Sequence, residues 1–575
     1  MSAHREPRST RSTSGPVRLV GIVGIVIGTS LGLAGAGYGA AVPTGSTHVL
    51  ATPAVQPPPR GAEPTSVTPQ VTETALETVS DTRRSTDITT RVPARRGSEL
   101  IAHLTQPVLQ KPLVGVTWSH GSAPNGLDVR VRTLRSGAWG AWTDVHVDAD
   151  EGPASDEEMS VRDGTEPLWI GAAERVEVAA YSSDGSGPQQ MRLQTIDPGT
   201  SAYDAMAPWQ SKTAAATASL AGTFPGTPDI VTRREWGADE SLGDQCFEPR
   251  LGTTFKMVFV HHTVGSNSYG RSESAAVVRG IYAYHTQSQG WCDIGYNFLV
   301  DRYGTVFEGR DGGIRKPVRG SHAGDYNTDS TGISLMGDFE TGYPTNAMKT
   351  AMVRLIAWRL GTAYRDAYGG AVLEGTWFRR ISGHRDAMST ACPGAHAYSW
   401  LPRLRERVAE RLGSFESRIE RAWRYRGGPR GEWGPVRVGE HREHHGSHTR
   451  FEGGRMYRFD HAVRAWKPGP ILRRYVRSGE MDGGLGYPVS VMRSPRHGRA
   501  ADFEHGSIYW SQSAGAHILK PSAILKRYRA LGGAESNLAF PTSRVLSTKA
   551  GARTNFQGGA ITFDQTTHRL TVTYA

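Results

Sequence analysis

The chain has 575 residues, 66 Lys plus Arg against 55 Asp plus Glu, 38% hydrophobic residues and 69 glycines. That length exceeds what one hydrophobic core supports, and that apolar content excludes disorder throughout, so several globular domains joined by linkers are expected. The charge is uneven: from Gly431 to Ala575, 21 Lys plus Arg face 11 Asp plus Glu, which places any anionic partner at the C-terminal quarter.

Arg5, Arg8, Arg11 and Arg18 precede the uncharged apolar run Leu19–Ala36, the n-region and h-region of a secretory signal over residues 1–40. Ala34-Gly35-Ala36 and Gly39-Ala40-Ala41 offer cleavage sites; the alternative is a retained anchor, because the run is just long enough to span a bilayer. An exported protein does not meet genomic DNA, so nucleic acid is not the expected partner of the basic tail. No other stretch is long and apolar enough to cross a membrane, so no stable span is expected after signal cleavage.

Residues 41–96, with Pro57-Pro58-Pro59 and many Thr and Ser, read as a disordered linker. Over 97–198 the pattern turns to period two, Leu127, Val129 and Val131 alternating with Asp128, Arg130 and Arg132, which predicts an all-β sandwich-like domain. Trp118, Trp139, Trp142 and Trp169 are read as its core, with a sugar-stacking platform as the alternative. Residues 199–227 return to linker composition.

From 228 to 412 strands and helices alternate. Strands are expected over Phe255–Val264, Ile294–Asp301 and Gly332–Phe339, with helices over Glu273–Gln287 behind a Ser272 cap, Asn346–Leu360 and Ser399–Leu412. This is an α/β domain, a mixed sheet flanked by helices. After a linker at 413–430, residues 431–575 repeat. Phe451, Phe503 and Phe556 recur with glycines behind them, and Ile471 and Tyr475 return as Ile524 and Tyr528. Leu485-Gly486-Tyr487-Pro488 returns as Leu538-Ala539-Phe540-Pro541, and Pro435 marks a truncated first copy. These segments resemble LGFP repeats of actinobacterial wall-associated proteins, which implies attachment to the cell envelope. His441, His444, His445 and His448 are read as a solvated tract rather than a metal site.

Three cysteines, Cys246, Cys292 and Cys392, are an odd number for an exported protein. Cys392 follows His384 in the run to Cys392-Pro393-Gly394, and two imidazoles with one thiolate suffice to hold a zinc ion that keeps a position open. Val260-His261-His262-Thr263 ends a strand and supplies a second histidine. Successive side chains point to opposite faces there, so one of the pair enters the site, and spacing does not say which.

Residues 228–412 resemble the peptidoglycan recognition protein and phage-lysozyme type family of zinc N-acetylmuramoyl-L-alanine amidases. The resemblance is carried by Arg234-Glu235-Trp236-Gly237-Ala238, Phe259-Val260-His261-His262-Thr263 and Gly290 to Phe298, followed by Gly320-Ser321-His322-Ala323, Tyr326-Asn327, Gly332-Ile333-Ser334 and Gly383-His384 through Ala391-Cys392-Pro393. It implies His261, His384 and Cys392 as Zn2+ ligands, Tyr296 and Thr390 as catalytic residues, and His322 and Asn327 as substrate-groove contacts. Together with the export signal and the basic repeats, it leads to the expectation of a secreted, wall-associated enzyme that cleaves peptidoglycan between N-acetylmuramic acid and L-Ala, held by those repeats on anionic cell-wall polymers. A non-catalytic peptidoglycan-recognition protein is the alternative, and a zinc peptidase acting within the stem peptide is a third reading. With Cys392 at the metal, Cys246 and Cys292 remain, and outside the cell they are expected to form a disulfide.

Overall fold

The computed structural model describes residues 65–78, 97–108, 112–148, 152–153, 161–201, 204, 226–243, 249–413, 416–443 and 445–575. The expected signal at 1–40, most of the expected linkers at 41–96 and 199–227, and Cys246 lie outside them. Among the described residues no helix is long and apolar enough to cross a membrane.

The N-terminal domain is two antiparallel six-stranded sheets packed face to face. Period two works as expected: Val129 and Val131 of Asp128–Arg135 meet Ala180 and Val178 of Arg175–Ser182 across the ladder, and all four are buried. The sandwich takes more chain than composition suggests. Gln70–Ala75, inside the segment expected to be linker, pairs in register with Arg192–Asp197 as an edge strand. Its Val and Thr residues suit a pleated edge, a preference masked by the Pro and Thr bias around it. Of the four tryptophans, Trp118 and Trp169 are core, whereas Trp139 is exposed and Trp142 half-buried against Ala179 and Tyr181, with the Arg132 guanidinium 4.9 and 4.7 Å from their rings.

The central domain is built on six strands: β1 (Ile230–Val231), β2 (Met257–His262), β3 (Phe298–Val300), β4 (Val306–Glu308), β5 (Ser330–Leu335) and β6 (Ile381–Gly383). Their order is β1-β4-β3-β5-β2-β6, parallel except for β3 against β4. Helices α1 (Arg233–Trp236), α2 (Ser274–Ala283), α3 (Asn346–Thr362) and α4 (Ala395–Leu412) complete it. Met348, Met352, Leu355 and Ile356 of α3 pack with Leu401 and Leu404 of α4 on one face of the sheet, and α2 covers the other. Ser272 does not cap α2; it lies in a 3-10 turn, Arg271–Glu273, that leads into the helix.

The N-terminal domain rests on α2, whose last turn widens into a π-helix over Tyr284–Ser288. The Tyr284 hydroxyl donates to the Thr165 and Val116 carbonyls at 2.8 and 3.2 Å. Gly115 makes the approach possible, since a Cβ there would stand 2.4 Å from the Tyr284 ring.

The C-terminal region forms three antiparallel sheets, each preceded by a short helix. Phe451, Phe503 and Phe556 each end a strand opposite Gly454, Gly506 and Gly559. Tyr475 donates to the Gly486 carbonyl at 2.7 Å, Tyr528 to that of Ala539, and Trp423 to that of Gly434 at 2.9 Å. Helix Arg418–Tyr425 is therefore the first copy's helix, with Ile419 and Trp423 buried like Ile471 and Tyr475. The stretch expected to be linker at 413–430 contains it. Trp in place of Tyr and the missing Leu-Gly-Tyr-Pro core conceal this copy in the sequence. The expected solvated histidine tract is also corrected: His441 and His448 are strand residues in register with each other.

Candidate metal centre

The ends of parallel neighbours β2 and β6 bring His261 and His384 together. Both faces of β2 are buried, with Met257 and Phe259 on one side and Val258 and Val260 on the other. His261 shares the first face. His262 lies on the second, where its Nδ1 accepts from the Phe339 N–H at 3.1 Å. Strand alternation thus answers the question that spacing leaves open. His384 opens a 3-10 turn directly after β6, with its ring 4.6 Å from that of His261. The chain then returns so that Cys392 Sγ stands 3.6 Å from His261 Nδ1.

One donor atom from each of His261, His384 and Cys392 lies within 4.8 Å of the others, and all three residues are buried. This set fits zinc. With Zn–N near 2.05 Å and Zn–S near 2.3 Å, a tetrahedral edge from nitrogen to sulfur is about 3.6 Å, the separation of His261 Nδ1 and Cys392 Sγ. Cys392 is a thiol outside any disulfide, available as a ligand.

Tyr296 and His322 surround the cluster, their rings 5.5 and 5.0 Å from that of His261. His322 fits because Gly332 of β5 has no side chain: a Cβ there would lie 2.4 Å from the imidazole. Asn327 is 0% exposed, and its Oδ1 accepts from the His322 and Ala323 N–H groups at 2.8 and 2.9 Å. Its hydrogen bonds thus hold the His322 loop and, through Nδ2, reach the Gly152 carbonyl at 3.1 Å. Thr390 is half-buried, and its Oγ1 accepts from the Cys392 N–H at 3.1 Å.

Residues not singled out in the sequence hold the segment before Tyr296. Arg233 is buried and donates to Asp293 Oδ1 at 3.0 Å, to the Gly309 carbonyl at 2.6 Å and to Glu240. Burial pulls its pKa down, but the Asp293 and Glu240 carboxylates more than reverse that, so the guanidinium stays charged. His285 stacks on Trp291 at 4.4 Å and accepts from the Gly295 N–H at 3.1 Å. A lone Arg and a helical His carry no spacing signal that would have found them.

Away from the histidines, a cleft of about 780 Å3 opens between the central domain and the first two repeats, lined by Lys316, Arg437, Arg450, Arg455, Arg473 and Arg477. Glu452 lines it as well.

Comparison with known families places N-acetylmuramoyl-L-alanine amidase over residues 251–395, Rv3811 N-terminal galactose-binding domain-like over 62–203 and LGFP repeat over 485–536. Peptidoglycan-recognition protein SC2 of Drosophila simulans is 33% identical over 171 residues, which are 30% of this chain and 83% of that protein. Peptidoglycan recognition protein 1 of Mus musculus is 33% identical over 187 residues, 32% of this chain and 92% of its own. The solved structure of Drosophila PGRP-LB is 29% identical, covers 30% of this chain and 92% of that one, and superposes with a TM-score of 0.25.

Proposed function

The chain belongs to the family of peptidoglycan recognition proteins and N-acetylmuramoyl-L-alanine amidases and carries C-terminal LGFP repeats, and on that basis we propose that it is a secreted, zinc-dependent N-acetylmuramoyl-L-alanine amidase. The substrate on this reading is peptidoglycan, cut between N-acetylmuramic acid and L-Ala. The observation that carries the proposal is the buried cluster of His261, His384 and Cys392.

Zinc bound there would supply Lewis acidity, lowering the pKa of a water toward 7 and polarising the scissile carbonyl. The two imidazoles and the thiolate would hold the ion, with Arg385 anchoring the Cys392 turn by donating its N–H to the Cys392 carbonyl at 3.0 Å. The Tyr296 hydroxyl, beside His261, would hydrogen-bond the attacking water or the oxygen that gains charge. Thr390 accepts from Cys392 and keeps its own proton to donate to that oxygen, where one positioned donor is worth about 3 kcal/mol. His322, fixed by Asn327 and accommodated by Gly332, would line the groove for the muramyl peptide.

The repeats would hold the enzyme at the wall, with the basic cleft engaging anionic wall polymers. A Cys246–Cys292 disulfide belongs to the same proposal, because Cys392 stands as a thiol at the cluster and the other two cysteines would face an oxidising compartment outside the cell. A recognition protein without catalysis is the alternative, and the full His, His and Cys set beside a tyrosine favours the enzyme.

Solubilisation of isolated peptidoglycan by the full secreted chain tests the proposal. Activity that is lost on chelation, returns with zinc and is absent in Cys392→Ser supports it. Binding without solubilisation under all these conditions rejects it.

A further inference from the structure

The first repeat contains a second cluster of metal-ligating side chains, far along the chain from the first. The strands Val436–Glu443 and Gly446–Phe451 form a hairpin in which His441 faces His448 across the ladder, and Glu443 lies two positions further on the same face. One donor atom from each of the three lies within 4.8 Å of the others. His441 Nε2 stands 3.2 Å from Glu443 Oε1, and the two imidazoles pack edge to face with centroids 3.6 Å apart.

Two further observations point to a ligand. His448 is only 6% exposed, and among the described residues nothing hydrogen-bonds its Nδ1. A buried nitrogen in that state is costly unless a partner is bound. His441 Nδ1 lies 3.4 Å from the Gly439 carbonyl, a contact that favours the proton on Nδ1 and leaves the lone pair on Nε2, the nitrogen 3.2 Å from Glu443 Oε1.

The surrounding charges are mixed. Arg315 of the central domain and Arg455 face the cluster, but Arg455 is paired with Glu480, and Glu480 and Asp482 add negative charge. Two imidazoles and one carboxylate are a zinc-type donor set with room for water. The hairpin also sits at a junction: Glu440 accepts from Tyr364 of the central domain at 2.7 Å, and the Gly439 N–H donates to the Arg315 carbonyl at 3.4 Å.

We propose that His441, Glu443 and His448 bind a second divalent ion of the zinc class, which pins this hairpin at its junction with the central domain. The site contains no sulfur and does not depend on the proposed amidase activity.

The test counts zinc bound to the full chain after equilibration with the metal alone. In a Cys392→Ser background, one ion per chain should remain and should raise the melting temperature. Adding His441→Gln should remove both effects. Glu443→Gln, at a side chain that is partly exposed, should weaken binding at least tenfold and guards against misfolding at His441. In the otherwise native chain, His441→Gln should leave the thiolate-to-metal absorption of the cobalt-loaded protein intact. The proposal is overturned if the Cys392→Ser chain binds no zinc beyond background, or if His441→Gln and Glu443→Gln both retain its zinc and its melting shift.

Discussion

The Asn327 side-chain amide donates to the Gly152 carbonyl across 3.1 Å, joining the N-terminal domain to the loop that carries His322. The same side chain accepts from the His322 and Ala323 N–H groups. Asn327→Ala strands these buried donors and should cost about 1–3 kcal/mol. Denaturant unfolding of the full chain measures this, and an unchanged midpoint would show that the contacts carry no stability.

Gly332 leaves the space that the His322 ring occupies, with a notional Cβ only 2.4 Å away. Gly332→Ala must displace the imidazole or the strand, at a cost of about 1–3 kcal/mol for overpacking. Turnover should fall at least tenfold in protein that remains folded by circular dichroism. Wild-type turnover in this variant would separate His322 from the reaction.

Cobalt substitution reports on the thiolate. The 3.6 Å approach of Cys392 to His261 predicts a thiolate-to-cobalt charge-transfer band that Cys392→Ser lacks. The same band in both proteins would place the metal elsewhere.

Acid should loosen the N-terminal domain through Glu177. Burial raises its carboxyl, but hydrogen bonds from His103 at 2.8 Å and Arg132 at 2.5 Å, with the Arg132 charge, lower it overall. A carboxyl depressed in the folded state stabilises fully above its unfolded pKa of about 4.5, and that stability is lost as pH falls through the folded value. Glu177→Gln should flatten the pH dependence of stability below pH 4.5 or so. A slope equal to that of the wild type would assign the acid sensitivity to other groups.

The cleft cations Arg473 and Arg477 lie on an exposed helix face. Reversing both to Glu should weaken retention on isolated walls and reduce its salt sensitivity, since exposed charge attraction is screened within about 10 Å at 0.1 M salt. Retention unchanged at low salt would exclude this cleft as the anionic-polymer contact.

Local pattern carries much of this architecture. Alternation at Val129 and Val131 announces the sandwich, and the Phe and Tyr-Pro landmarks announce the repeats. The edge strand Gln70–Ala75 and helix Arg418–Tyr425 escape because each is short and is stabilised by a distant partner, Arg192–Asp197 in one case and Phe451 in the other. His384 and Cys392 are legible as near neighbours in sequence, but the side of β2 that faces them is fixed by the packing of Phe259 and Val260 on opposite faces. Arg233, His285 and Gly332 act through contacts that only the folded chain creates. The histidine tract reads as solvated because glycines and arginines surround it, and only register sets His441 against His448.

The most direct measurement is mass spectrometry of the ends generated when the full secreted chain acts on peptidoglycan. Stem peptides with a free L-Ala amine and glycans with an intact muramic lactyl carboxylate are expected, both absent after chelation and with Cys392→Ser. New ends within the stem peptide, or none beside tight binding, would contradict the proposed cleavage.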